Sequence, residues 1–254
     1  KLQATLNRMT LVPTTHILKP IIERVKDSVH NELFCMKLAK RVGLDVPEVS
    51  LHFAGDTPYY LVERYDRQVD KNGVVRRIHQ EDFCQALGVA PEMKYEREGG
   101  PSIVACQDVI AKHSARPAAD QIKFLNIILF NYIIGNADAH GKNFSLLYRS
   151  DKPELAPAYD LLSTAIYSDL SEKIAMKIGG QYKPKNVCLR HFHRLVADTK
   201  TAQLAMNRQI KTMTSKIMEV APNLKKCLVE DGLYSDVFDE IIEMIEERSR
   251  RISD

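Results

Sequence analysis

Asn136-Ala137-Asp138-Ala139-His140-Gly141-Lys142-Asn143, followed by Ala158-Tyr159-Asp160-Leu161, is the stretch on which the reading of this 254-residue chain turns. It sets carboxylate, amide, imidazole and ammonium groups into a short polar island between hydrophobic segments. A long apolar run, 122–134, precedes it. Two short β-like runs follow, Phe144-Ser145-Leu146-Leu147-Tyr148 and Leu155-Ala156-Pro157-Ala158-Tyr159, joined by 149–154. Together these runs predict a small hairpin. Its far end returns Asp160 to the loop it left, so Asp138, Asn143 and Asp160 are expected close in space.

Working outward, the segment 119–134 reads as a helix that is apolar nearly all round, with Asp120 before it and Gly135 after it. A helix without a polar face belongs at the centre of a helical lobe, and this one is too short to span a bilayer. At the other end of the chain, 2–11 and 14–19 read as strands with Pro13 between them. Alternation in Thr15-His16-Ile17-Leu18-Lys19 places Ile17 and Lys19 on one face. The spacing of apolar residues predicts a helix over 28–42, with Asp27 or Ser28 as N-cap and Gly43 as C′. Glu32 lies in its first turn, where the helix dipole favours a carboxylate. Strands are expected at 48–54 and 59–65, then a hairpin around Asp70-Lys71-Asn72-Gly73, a short helix over 80–87, a loop over 94–101 and a helix over 102–112. Residues 161–186 read as irregular, and helices are expected at 189–219 and 235–252. The fold class is α+β, with a β-rich lobe over 1–66 and a helical lobe over 67–254.

The composition excludes several functions. Hydrophobic content of 44% and charged content of 27% are those of a soluble globular chain. A net charge of +3 is too small to argue for nucleic-acid binding. Arg64, Arg67, Arg76 and Arg77 read as a solvated surface patch. No run is long enough for a membrane span, no signal peptide is visible, and the five cysteines lack any C-x-x-C pair, which together suggest a cytoplasmic protein with reduced thiols. The chain begins at Lys1 in what reads as a strand, so a preceding segment is expected.

Phosphoryl transfer needs a carboxylate near the attacking hydroxyl, oxygen ligands for Mg²⁺ and cationic charge on the phosphates. Asp, then Asn five residues on, then an Asp beyond a small hairpin is the spacing of kinase catalytic loops. In that assignment Asp138 takes or orients the hydroxyl proton, Asn143 and Asp160 hold Mg²⁺, and Lys142 reaches the γ-phosphate of ATP. Lys19 and Glu32 reproduce the strand-lysine and helix-glutamate pair that grips the α/β-phosphates. Glu63, Arg64 and Tyr65 would form the hinge whose backbone meets adenine. The octapeptide alone also fits Asx-turn chemistry. His140 reads as a loop-packing residue, His191 and His193 as structural, and Gly179-Gly180 as a turn, since no G-x-G-x-x-G accompanies it.

These residues resemble one family, the HipA-type serine/threonine kinases, toxins of bacterial toxin–antitoxin pairs. The likeness is carried by Thr14-Thr15-His16-Ile17-Leu18-Lys19, Asn31-Glu32, Gly43-Leu44-Asp45-Val46-Pro47, Val62-Glu63-Arg64-Tyr65-Asp66-Arg67, Gln80-Glu81-Asp82-Phe83-Cys84-Gln85, Lys94-Tyr95-Glu96, Gly99-Gly100-Pro101, the catalytic-loop stretch and Pro157-Ala158-Tyr159-Asp160. The resemblance implies a bilobal kinase-like fold and Mg²⁺/ATP-dependent phosphorylation of a protein serine or threonine. The implied target class is an aminoacyl-tRNA synthetase. The implied partner is a helix-turn-helix antitoxin of the HipB type, through which alone the pair meets operator DNA. Carried over, Asp138 is the active-site residue, Asp160 binds metal, and Lys19, Glu63, Arg64, Tyr65, His140, Gly141, Lys142 and Asn143 contact nucleotide. Family members also carry a Gly- and Ser-containing phosphate loop, with an autophosphorylated serine, which would lie before Lys1. Two rival readings stay open: a phosphotransferase acting on a lipid or small molecule, and an inactive kinase-fold module that acts with an antitoxin as a repressor.

Overall fold

The strand that carries Lys19 forms as expected. In the computed structural model, which describes residues 13–253, β1 (His16–Pro20), β2 (Val49–Ala54) and β3 (Thr57–Glu63) make an antiparallel sheet in the order β1-β3-β2. The strand expected over 2–11 lies outside the described residues. Ile17 pairs with Val62 and Lys19 with Tyr60, so all four side chains share one face of the sheet.

Helix α1 (Ser28–Val42) crosses that sheet and is buried nearly all round. Both of its expected N-caps differ in the structure. Asp27 sits in the left-handed region at φ 49° without a capping bond, and its carboxylate instead accepts from the Ser235 hydroxyl. The Ser28 hydroxyl accepts from the Ile22 N–H. Gly43 closes the helix as expected, at φ 96°, with the Leu44 N–H donating to the Ala39 carbonyl.

Past a small hairpin of β4 (Arg67–Val69) and β5 (Val75–Arg77), the expected helix over 80–87 divides in two. Its first half is a strand, β6 (His79–Asp82), and only α2 (Phe83–Ala86) is helical. Asp82 marks the change: its carboxylate accepts from the Gln85 N–H while the Gln85 side chain accepts from the Asp82 N–H. Gln80-Glu81-Asp82 pairs with β7 (Ser145–Tyr148), which pairs in turn with β8 (Glu154–Leu155). The hairpin that was expected to return Asp160 is therefore real, and a third strand steadies it.

Helix α3 (Ile103–His113) starts from a Ser102 cap, and α4 (Pro117–Ile134) runs through the centre of the core. Asp120 is not the cap of α4. It is buried in the first turn, where it accepts from the Ser114 hydroxyl (2.6 Å) and the Leu155 N–H (3.0 Å) and so ties β8 to the helix. The chain continues through α5 (Leu189–His193), α6 (Lys200–Glu230) and α7 (Val237–Ser253). Helix α6 passes through Pro222 instead of ending near 219. The buried stripe Ile217, Ala221, Leu224 and Leu228 continues across the proline, and that burial outweighs the lost hydrogen bond. One apolar core unites these parts, from Phe34, which stacks on Phe238 at 5.1 Å, to Phe124 between Phe83 and Phe144. Among the described residues no helix is long and apolar enough to cross a membrane.

Candidate active site

The site is built where α1, β1, the loop after α4 and the end of the β7–β8 hairpin converge. Lys19 donates from β1 to Glu32 Oε1 on α1 at 2.8 Å and to Asp160 Oδ1 at 2.7 Å. The other Asp160 oxygen, Oδ2, accepts from Asn143 Nδ2 at 2.7 Å. Four side chains far apart in sequence thus form one connected chain of charges and dipoles. Asp160 stands at φ 58°, a left-handed conformation that Asp tolerates better than most residues. It is held there by its neighbours. The Tyr159 hydroxyl donates to the Lys142 carbonyl (2.7 Å), and Asn31 clamps the backbone of Ser163 by accepting from its N–H and donating to its C=O, both at 2.8 Å. The helix that carries Glu32 and the segment that carries Asp160 are therefore locked together one residue away from Glu32.

Burial pushes the Glu32 carboxyl up to about 7, despite the Lys19 ammonium beside it. On Lys19 burial acts downward, but Glu32 and Asp160 outweigh it and the ammonium is raised above its ordinary value.

A cleft of about 550 Å³ opens over this group. Ile17, Val62 and Pro47 supply apolar lining, and Lys19, Glu32, Asn143 and Asp160 the polar end. Lys142, Glu63, Arg64 and Tyr65 also line it. The Glu63 N–H donates to Glu48 and the Arg64 N–H to Thr15, so of the three expected hinge N–H groups only that of Tyr65 lacks a partner among the described residues. The Arg64 guanidinium is fixed by two bonds to Asp66 (2.9 and 2.7 Å), and Arg67 joins the same carboxylate. The expected surface patch of arginines is thus half a buried ion-pair cluster.

Three predicted residues lie outside the cleft lining. Asp138 faces a second cavity, of about 270 Å³, with Tyr95 and Thr164. His140 is buried with its ring edge-on to Tyr95 at 5.4 Å, and burial lowers its pKa, which keeps the imidazole neutral near pH 7. At Gly141 a Cβ would come within 2.6 Å of Pro101, so this glycine serves close packing. The Asx turn also exists, since the Asn136 side chain accepts from the Asp138 N–H at 3.1 Å. It shapes the loop that presents Asp138 on one side and Asn143 on the other.

The donor set at Asn143 and Asp160 suits a hard cation. No cluster of three or more His, Cys, Asp or Glu side chains positioned for a metal occurs among the described residues. Mg²⁺ does not need one, because it is usually held by one or two carboxylates together with phosphates and water. Asn143 Oδ1 accepts from the His140 N–H and keeps its second lone pair.

Comparison with known proteins matches residues 1–223 to the HipA-like C-terminal domain. This chain belongs to the HipA-like C-terminal domain family. The HipA-like chain is 32% identical over 242 residues to the serine/threonine-protein kinase toxin HipA of Shewanella oneidensis, covering 89% of this chain and 53% of that protein. It is 57% identical over 166 residues to Y4mE of Sinorhizobium fredii, covering 65% and 40% of the two chains. The solved complex of Shewanella oneidensis MR-1 HipA with HipB and its operator DNA matches at a TM-score of 0.77 and 27% identity, over 94% of this chain and 58% of that one. The chain spans about half the length of the curated relatives it matches. The family expected from the sequence is therefore the right one, and so is its mixed α+β fold.

The sequence did not single out two residues that hydrogen-bond the Asp138 loop in this HipA-like chain. Tyr95 donates to Asp138 Oδ1 at 2.6 Å. Burial, and then the carboxylate itself, push its hydroxyl up, so it stays protonated and remains a donor. Thr164 accepts from the Ala137 N–H at 2.7 Å and fixes the base of the loop. Tyr95 is 43 residues from Asp138, and no periodicity links them. The only signal was its place in Lys94-Tyr95-Glu96, one of the segments that carry the resemblance to the family.

A pH effect follows from Glu32. Between its ordinary value of 4.5 and about 7 the folded protein holds a proton that the unfolded chain has released. The resulting stability is present below about pH 4.5 and is lost as pH rises through about 7. Glu32→Gln, which carries no titrating proton, is expected to flatten the melting temperature across that window. A variant with the wild-type slope would contradict this assignment.

Proposed function

We propose that this HipA-like chain is the catalytic part of an ATP- and Mg²⁺-dependent serine/threonine-protein kinase. Residues 1–66 would belong to its N-lobe and 67–254 to its C-lobe. The observation that carries the reading is the Lys19 bridge to both Glu32 and Asp160, with Asn143 on the second Asp160 oxygen. A strand lysine paired with a helix carboxylate, next to a second carboxylate that would hold the metal, is the arrangement kinases use at the phosphates.

In this reading the apolar lining of the cleft takes the base, with the Tyr65 N–H as its hinge donor. Lys19, oriented by Glu32, meets the α/β-phosphates. Lys142, which lines the cleft and has no carboxylate partner among the described residues, meets the γ-phosphate. Asp160 and Asn143 would hold Mg²⁺, which would offset the negative charge of the phosphates. Asp138, with Oδ1 occupied by Tyr95, takes the hydroxyl proton on Oδ2. As that proton leaves, the serine or threonine oxygen bonds to the γ-phosphorus. The bond from that phosphorus to the β-γ bridging oxygen breaks, and its electron pair departs with ADP.

The family context supports the rest of the proposal: a toxin of a toxin–antitoxin pair that arrests growth by phosphorylating an aminoacyl-tRNA synthetase in the cytoplasm. Its partner would be a helix-turn-helix antitoxin of the HipB type, with operator DNA met only through it. The relative in the solved complex is HipA with HipB and operator DNA, which is what supports this partner. Incubation with γ-labelled ATP, Mg²⁺ and cell extract tests the function. The expected product is phosphoserine or phosphothreonine in a protein. Label found only in lipid or in small molecules would overturn it.

A further inference from the structure

Asp138 is fixed unevenly. Its backbone is held on both sides, because the Ala137 N–H donates to Thr164 and the Asp138 N–H to the Asn136 side chain. Its side chain is half exposed, and two torsions separate the carboxylate from that backbone. Among the described residues the Tyr95 hydroxyl is the single donor hydrogen-bonded to the carboxylate, at 2.6 Å from Oδ1. His140 Nε2 stands 3.8 Å from Oδ2, too far for a hydrogen bond.

Tyr95 is itself fastened with care. Its carbonyl accepts from the Glu98 and Gly100 N–H groups, both at 2.9 Å. A Cβ at Gly100 would come within 2.3 Å of the Met93 carbonyl oxygen and 2.8 Å of that of Tyr95, so the turn closes this tightly only with glycine. The Glu96 N–H donates to the Ala175 carbonyl at 3.1 Å, and the Glu96 carboxylate accepts from the Lys177 N–H at 2.6 Å. The Ala175 N–H donates in turn to the Ala137 carbonyl at 2.8 Å, one residue before Asp138. Tyr95, Glu96, Ala175, Ala137 and Asp138 therefore close a ring of bonds, which the tyrosine hydroxyl completes. The Tyr95 ring lies edge-on to His140, with the Lys94 and Arg97 cations each 5.0 Å from its centre.

We propose that Tyr95 is a positioning residue: by holding Oδ1 of Asp138 it turns Oδ2 toward the hydroxyl to be phosphorylated. This role rests on the kinase reading above and deepens it. A half-exposed carboxylate could bond to water instead at little cost in stability. Water would leave the side-chain torsions free, whereas a charge-assisted bond from a fastened phenol selects one setting. Rate is sensitive to such settings, since a misplacement of about 1 Å can cost about 10²-fold.

Tyr95→Phe in the full chain is the test, because it keeps the ring and removes only the hydroxyl. At saturating ATP, transfer from γ-labelled ATP to cell-extract protein is expected to slow about 10–100-fold. The ATP concentration giving half the maximal rate should stay within about twofold of wild type. In Asp138→Asn, whose residual transfer no longer uses the carboxylate, adding Tyr95→Phe should change the rate less than about twofold. A bond that served the fold alone would lower both backgrounds alike. Equal losses in the two backgrounds, or a wild-type rate in Tyr95→Phe, would overturn the role of Tyr95 and leave the kinase reading standing. A wild-type chain that labels no acceptor would overturn both.

Discussion

Asp138→Asn is expected to lower phosphoryl transfer by about 10²–10⁴-fold, the usual contribution of a positioned general base. Nucleotide affinity should stay within about twofold of wild type, because Asp138 does not line the nucleotide cleft. Asparagine has the same shape and its Oδ1 can still accept the Tyr95 hydroxyl now bonded at 2.6 Å, so the loop has no reason to move. What is lost is the lone pair on Oδ2 that takes a proton; the nearest basic group, His140 Nε2, is 3.8 Å from it and buried. The check is steady-state turnover together with nucleotide binding. Unchanged turnover would remove Asp138 from the mechanism.

The second large effect is expected at Asp160. Its two oxygens are held by Lys19 at 2.7 Å and Asn143 at 2.7 Å, so it joins the phosphate end of the cleft to the catalytic loop. Asp160→Asn removes the charge and suits the backbone, because asparagine also tolerates the left-handed conformation found at φ 58°, while its amide nitrogen replaces one of the two accepting oxygens. In wild type, Mg²⁺ and ATP at a hundredfold excess over Kd should stabilise the folded state by about 2.7 kcal/mol. For a chain of this size that is roughly 5–10 °C in melting temperature. The variant should lose nearly all of this shift, whereas Asp138→Asn should keep it. A full Mg²⁺-dependent shift in Asp160→Asn would place the metal elsewhere.

These two carboxylates also show how far the sequence could be read. Asp160 was legible as a neighbour of Asn143 because a hairpin with short strands can only return to its start. Lys19 and Glu32 were legible because strand alternation and helix spacing each fix a face, and the structure closes them to 2.8 Å. The position of Asp138 was less so. Spacing along a loop does not say on which side each residue emerges, and an Asx turn followed by a 3₁₀ turn at Gly141–Asn143 sends Asp138 and Asn143 into different cavities. His140 and Gly141 fell outside the cleft for the same reason.

Tertiary context explains the remaining differences. Gln80-Glu81-Asp82 became a strand because β7 offered it a partner 67 residues away along the chain, as the bond from Tyr148 to Glu81 illustrates. Asp120 looks like a cap in the sequence, but it is buried and spends its carboxylate on β8. Tyr95 carried no periodic pattern, only its place in Lys94-Tyr95-Glu96. Such long-range polar bonds leave no periodic trace, which is why the scaffold of the site was easier to read than its inner partners.

In the proposed site Asp160 and Asn143 hold the metal of a nucleotide bound between Lys19 and Lys142. The most direct measurement is a crystal structure with a non-hydrolysable ATP analogue and Mn²⁺ in place of Mg²⁺, located by its anomalous signal. A manganese peak is expected in contact with the Asp160 carboxylate and the Asn143 amide oxygen, with the phosphates beside Lys19. Nucleotide bound in the cleft with manganese away from both residues, or nucleotide bound elsewhere, would contradict it.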